Sequence, residues 1–211
     1  MEKYLQGLIE RMNAKEQVVS SSESISFKAY REAEKLCDPQ VLGLLRKMIQ
    51  AHSQKKEKTF RNAAYFIYGK LLAKFPISDY AAFFIEQLKN EDDKYVISAM
   101  LDRLCEFEIP DDVNTDIITE LAYSEKWQIR YSAISALGSC NSQKARDVLE
   151  YYILQEDDKN YKYEIIYANA AFGKIGVDSD ISVIETHLHS RIRDVRLSAE
   201  FAIENIKSRN V

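Results

Sequence analysis

Two acidic pieces, NEDDK at 90–94 and QEDDK at 155–159, stand 65 residues apart in a chain of 211 residues. Clustered carboxylates can hold a cation or, as a facing pair, pass a proton. Neither piece has the ligand spacing of a calcium loop. Each comes just before an apolar run, where an Asp accepts hydrogen bonds from the free N–H groups of a helix start and suits its positive end. The three histidines offer no metal site. His187 and His189 are two apart, so on a helix their side chains diverge by about 200°, and they lack the i, i+4 spacing of a helical metal pair. G-x-G-x-x-G, a Walker loop, G-x-S-x-G and H-E-x-x-H are all missing. No catalytic set, metal-ligand set or cofactor site is read from these residues, and the chain is expected not to be an enzyme.

A more regular chemistry belongs to the cations. Lys58, Lys94, Trp127, Lys162 and Arg193 recur at one slot, and three residues later come Arg61, Ile97, Arg130, Ile165 and Arg196. On a helix these two slots share a face. A Lys near a helix N-terminus opposes the macrodipole by roughly a few tenths of a kcal/mol. A cationic row placed there points to an anionic partner: an acidic peptide, a phosphate or nucleic acid. Tyr65, Tyr131 and Phe201 lie one turn along and would add contact or stacking area. The competing expectation is structural. Arg61, Arg130 and Arg196 would then pair with Asp92, Asp93, Asp157, Asp158 or Asp194, and Arg130→Ala would destabilise the fold. For a pure contact residue, thermal stability would stay near wild type.

The rows imply elements that repeat. IRYSAISAL at 129–137 and VRLSAEFAI at 195–203 are near-copies. With Ala133 as anchor, the equivalent slots are Ala64, Met100, Ala133, Ala168 and Ala199, spaced 36, 33, 35 and 31. Four residues on, each has a larger apolar residue, then Gly69, Cys105, Gly138 or Gly173. Apolar positions at i, i+4, i+7 and i+8 define one helix face. Glu164, in the slot of Ile129, makes the fourth copy weaker. Other helical stretches lie between: 78–90, 111–123, 142–155 and 179–190, each opening on Ser or Asp. Pro39, Pro76 and Pro110 fall at the same junction, where proline suits a helix start. The unit is a helix–turn–helix of about 35 residues that buries its apolar face only by stacking on its neighbours. Residues 1–37 are expected to form a cap of two helices, roughly 2–16 and 25–37, divided by VVSSSES. The repeats run over 39–208, within a single domain spanning 1–211.

Composition agrees with a helical, globular chain. Hydrophobic residues make up 46% and charged residues 29%, with only 3 Pro and 6 Gly. No apolar run reaches the roughly 18–20 residues that span a membrane, and the N-terminus lacks the pattern of a signal peptide. Cys37, Cys105 and Cys140 are odd in number and far apart, which suits reduced thiols and a cytoplasmic location. The net charge of −4 argues against tight nucleic-acid binding. It hides an asymmetry: 41–78 carries eight Lys/Arg against Glu57 alone, and 79–125 carries thirteen acids against three bases.

A second helix reading V-R-x-x-A-x-x-A-L-G, as in IRYSAISALG (129–138), VRLSAEFAI (195–203) and FRNAAYFIYG (60–69), resembles HEAT repeats over roughly 39–208. The best matches resemble the short bacterial HEAT-like repeats that also occur in phycobilisome lyases. The resemblance implies an all-α protein: a right-handed α-α superhelix, or α-solenoid, of about five helix pairs plus the N-terminal helical cap. It also implies a concave layer of second helices that binds macromolecules. Ile97 and Ile165, where the Arg falls, depart from the pattern. The expected function is a protein-binding scaffold or adaptor for a protein or peptide, an acidic one included. Its candidate contact residues are Lys58, Arg61, Tyr65, Lys94, Trp127, Arg130, Tyr131, Lys162, Arg193 and Arg196. The alternative is a nucleic-acid enzyme similar to the HEAT-like alkylpurine DNA glycosylases, which KWQIRYSAI (126–134) faintly resembles. Against it, Trp127 is the sole Trp and its helix carries no acid. A tetrapyrrole-handling lyase rests on repeat type alone.

Overall fold

The computed structural model describes residues 1–17 and 20–209, so Val18 and Val19 of VVSSSES lie outside the described residues. The described residues form α-helices joined by turns and short 3₁₀ segments. Leu5, Leu8, Ile9 and Met12 recur at helical spacing and make the buried stripe of α1, Glu2–Met12. This helix stops short of the expected residue 16, because Asn13 turns its side chain back onto the Ile9 carbonyl (3.0 Å). Ser24 caps α2, Ile25–Glu34, by accepting from the Phe27 N–H.

Five pairs follow. The first helices are α3 (Gln40–Ala51), α5 (Ser78–Glu86), α7 (Asp116–Leu121), α9 (Gln143–Ile153) and α11 (Ile181–Ile184). The second helices are α4 (Lys58–Leu72), α6 (Lys94–Leu104), α8 (Trp127–Leu137), α10 (Lys162–Ile175) and α12 (Arg193–Arg209). Each second helix packs on the next one, and the first helices form a parallel, looser layer. One continuous core runs from Leu5 to Ile206. The result is an all-helical α-solenoid, with α1 and α2 packed on α4 at its start.

The anchors Ala64, Met100, Ala133, Ala168 and Ala199 are all at most 1% exposed, so the repeat register is the register of the core. The four alanines among them let neighbouring helices come close. At Gly138 a Cβ would sit 2.9 Å from the Ala171 Cα.

The first helices are shorter than their sequence pattern. Helix α5 tightens into a 3₁₀ turn over Gln87–Asn90. In place of 111–123 only Asp116–Leu121 is α-helical. The stretch before it is spent on a turn: Ile109 N–H donates to the Ser139 carbonyl (2.9 Å), and Val113 N–H to the Pro110 carbonyl (3.0 Å). The Asn114 side chain accepts from the Asp116 N–H (2.8 Å), as Asn does in local turns. Helix α11 is one turn between two 3₁₀ segments, Asp178–Asp180 and Glu185–His189. The second segment buries His187, whose Nε2 lies 2.6 Å from the Ile153 carbonyl oxygen. That contact is a packing role for a histidine.

Candidate functional site

The two acidic pieces do related work. Asp93 caps α6 by accepting from the Tyr95 and Val96 N–H groups. In the second piece, Asp157 accepts from the Asn160 N–H, and Asp158 reaches the next repeat, where it accepts from the Ser190 hydroxyl and faces His187 Nδ1 at 3.6 Å.

The arginine slot sits at the turn between the helices of each pair. Arg61 is 6% exposed. Its Nε and Nη2 donate to the two carboxylate oxygens of Glu91 at 2.5 and 2.9 Å. Its Nη1 donates to the His52 and Gln54 carbonyls, and the Tyr65 hydroxyl donates to Glu91 at 2.9 Å. Glu91 favours the protonated Arg61, and burial pushes the Tyr65 phenol up. Arg130 repeats the arrangement less completely. Its Nε donates to Glu164 at 2.8 Å and its Nη1 to the Ser124 carbonyl at 2.6 Å. Arg196 Nη1 donates to the Ser190 carbonyl at 2.6 Å. Each Arg therefore ties the incoming turn to its second helix, and two of them also tie one repeat to the next. The acids are Glu91 and Glu164. The former sits one residue before the aspartates suggested by spacing. The latter lies inside α10, at the slot that is Ile129 in α8.

The lysine slot is more open. Lys58 pairs with Asp93 at 2.5 Å and Lys162 with Asp194 at 2.7 Å. Each pairing lowers the aspartate's proton affinity. Lys94 lies over the Tyr95 ring, with Nζ 5.0 Å from the centroid, and Arg193 is exposed. Among the described residues, neither makes an ion pair.

Beside this row runs an aromatic one. Trp127 is 57% exposed, Tyr95 64% and Tyr163 52%. The Trp127 ring lies 5.6 Å from that of Tyr131, which in turn lies 5.6 Å from Tyr163 and 5.4 Å from Tyr167. The rings thus join α8 to α10 across the free face of the second helices. A hollow of about 230 Å³ adjoins them, walled by Ser98, Asp102, Trp127, Tyr131, Ser135 and Tyr167. Trp127 and Tyr131 are legible from the sequence as candidates. Tyr95, Tyr163 and Tyr167 are not, because they occupy slots with no counterpart in the best-matching copies. Tyr65 lies inside, at 2% exposure, and Phe201 stands exposed on α12.

Among the described residues, no helix is long and apolar enough to cross a membrane, and no group of three His, Cys, Asp or Glu side chains is arranged to hold a metal ion. Residues 81–170 match the family model for HEAT repeats. No curated protein matches the chain in sequence. Among solved structures, a designed armadillo repeat protein is 14% identical, with a TM-score of 0.49, covering 96% of this chain and 99% of that one. An archaeal HEAT-like repeats protein from Thermococcus onnurineus NA1 is 13% identical, with a TM-score of 0.49, covering 99% and 88%. Human deoxyhypusine hydroxylase, solved with glycerol, is 12% identical, with a TM-score of 0.42, covering 98% and 97%.

Proposed function

Taking the chain as a HEAT-repeat α-solenoid, we propose that it is a non-enzymatic scaffold, binding a protein or peptide partner along the face of its second helices. The observation that carries this reading is the aromatic row of Tyr95, Trp127, Tyr131, Tyr163 and Tyr167, in which Tyr95, Trp127 and Tyr163 are exposed and Tyr131 and Tyr167 half-buried. Aromatic side chains offer large contact area with few rotors, and they dominate the energetic centres of protein interfaces. Ser98, Gln128, Ser132 and Ser135 beside the row can hydrogen-bond an extended backbone. Lys94, Arg193 and Arg196, which make no ion pair among the described residues, are the candidate cations left to meet an acidic partner. The single core running through the stack supports treating 1–211 as one domain. Three unpaired thiols support a cytoplasmic setting.

The nucleic-acid alternative is not favoured. Lys58, Arg61, Arg130 and Lys162, which would have met phosphates, are already committed to carboxylates.

The test is affinity capture from a native lysate, with and without nuclease, using the wild type beside a Trp127→Ala/Tyr131→Ala variant. One protein held stoichiometrically by the wild type, indifferent to nuclease and lost from the variant, is the expected result. Equal retention by both proteins, or elution of nucleic acid that falls steeply with salt, would overturn the reading.

A further inference from the structure

Of the three lysines in the lysine slot, two meet an acid of the next repeat and one does not. Lys58 of α4 pairs with Asp93, seven residues before the next anchor, at 2.5 Å. Lys162 of α10 pairs with Asp194 of α12 at 2.7 Å. For Lys94 of α6, the residue seven before the next anchor, Ala133, is Lys126. The slots that hold Lys58 and Asp93 at one interface therefore hold two cations at the following one. Among the described residues neither of these lysines makes an ion pair. Lys94 lies over the Tyr95 ring, and Lys126 is exposed. Like charges in adjoining slots repel, where elsewhere in the stack the same slots attract.

This break in the pattern falls within the aromatic row. Tyr95 follows Lys94 in the chain and Trp127 follows Lys126, and both rings are exposed. The nearby acids do not offset the two cations. Glu125 lines the separate hollow beside Tyr123 and Tyr151. Asp102, exposed in the wall of the hollow at Trp127, comes eight residues after Lys94, about 12 Å along α6. The positive charge is thus confined to one edge of the face. It suits one or two carboxylates rather than a polyanion, which Asp102 and the net charge of −4 would repel. A peptide can also cover Trp127 with a neighbouring side chain, and a small free anion would leave that ring bare.

We infer, resting on the scaffold reading above, that the protein partner docks here through an acidic segment. One or two Glu or Asp side chains lie between Lys94 and Lys126, and an adjacent aromatic side chain lies on Trp127. The segment brings from outside the charge that Asp93 gives to Lys58.

Trp127 is the only tryptophan, so its fluorescence reports on the site directly. The full chain is titrated with a Gly-Ser peptide carrying Glu-Glu-Phe, with Gln-Gln-Phe and Lys-Lys-Phe counterparts, and with an oligothymidylate. A saturable change with Glu-Glu-Phe is expected, at least 10-fold tighter than with the other two peptides and weaker as salt is raised. Lys126→Asp is the deciding variant. It puts a carboxylate in the Asp93 slot, so its melting temperature should equal or exceed that of the wild type while the affinity for Glu-Glu-Phe falls at least 10-fold. No saturable change, equal binding of Gln-Gln-Phe, undiminished binding by Lys126→Asp, or oligothymidylate bound as tightly as the acidic peptide would overturn the inference. Affinity capture separates the two readings. A protein that needs Trp127 and Tyr131 but is held equally by Lys126→Asp leaves the scaffold standing and overturns its acidic contact.

Discussion

Arg61 and Arg130 are the same letter in the same slot, yet they differ in how far they are enclosed. The Arg61 side chain is 7% exposed and its Glu91 partner 0%, whereas Arg130 is 22% exposed beside Glu164 at 5%. Arg61→Ala leaves a buried carboxylate without its cation, and is expected to destabilise the chain by about 3–5 kcal/mol. Arg130→Ala is expected to cost about 1–3 kcal/mol. Urea unfolding of both variants checks the order, and an Arg61 variant no weaker than the Arg130 variant would refute it. The slot was legible as a regular Arg; its acid was not. Spacing favoured the neighbouring aspartates, while the real partners come from two different slots in the following repeat, so no single offset finds both. Two other carboxylates set an acid limit. Glu16 is held at about 2 by hydrogen bonds from the Ile25 and Ser26 backbone, and Glu32 at about 2 by Arg11 and the Tyr4 hydroxyl. Both are lowered from an ordinary 4.5, so their stabilisation is complete above that pH and is lost as pH falls toward about 2. Hydrogen exchange should show α1 and α2 losing protection across that window, and unchanged protection at pH 2 would contradict the assignment.

At the level of helices, the second ones were easier to read than the first. Their apolar spacing is that of a long helix buried between neighbours, and the anchor-plus-five glycine marks where the next helix comes closest. Gly138→Ala would drive a Cβ to 2.9 Å from the Ala171 Cα, and backbone cannot yield as a side-chain tip can. A loss of about 1–3 kcal/mol is expected. Gly7→Ala is the control: it sits in α1 with nothing within 4 Å and should gain up to about 1 kcal/mol from helix propensity. Thermal melts of the pair decide the matter, and similar behaviour of the two would show that close helix approach is not what selects Gly138. The first helices are shorter than their sequence pattern suggests, because Asp, Asn and Ser start helices and also build turns. At 111–115 the turn prevailed, since the Ile109 N–H is already engaged by the Ser139 carbonyl of the neighbouring pair. That choice is tertiary and leaves no local mark.

Seen as a whole, the molecule is a row of interfaces with two different ends. Counting from the anchors, Glu204 of α12 stands in the slot of Gly138 and Gly173, and Glu200 in the slot of Ile134 and Asn169. Both glutamates are exposed, so α12 carries charge and bulk at slots that are uncharged or glycine in α8 and α10. Between the ends, each pair holds its neighbours and little else. The longest-range side-chain hydrogen bond among the described residues, Lys174 Nζ to the Cys105 carbonyl, spans 69 positions, or two repeats. Among the described residues, no side-chain hydrogen bond runs the length of the stack. Pulled from its two ends, the chain therefore passes load from one helix interface to the next rather than sharing it. The weakest interface yields alone and lets out one repeat, roughly 12 nm of extended chain at ~3.5 Å per residue, while the remaining repeats stay coiled and can take it back when the tension drops.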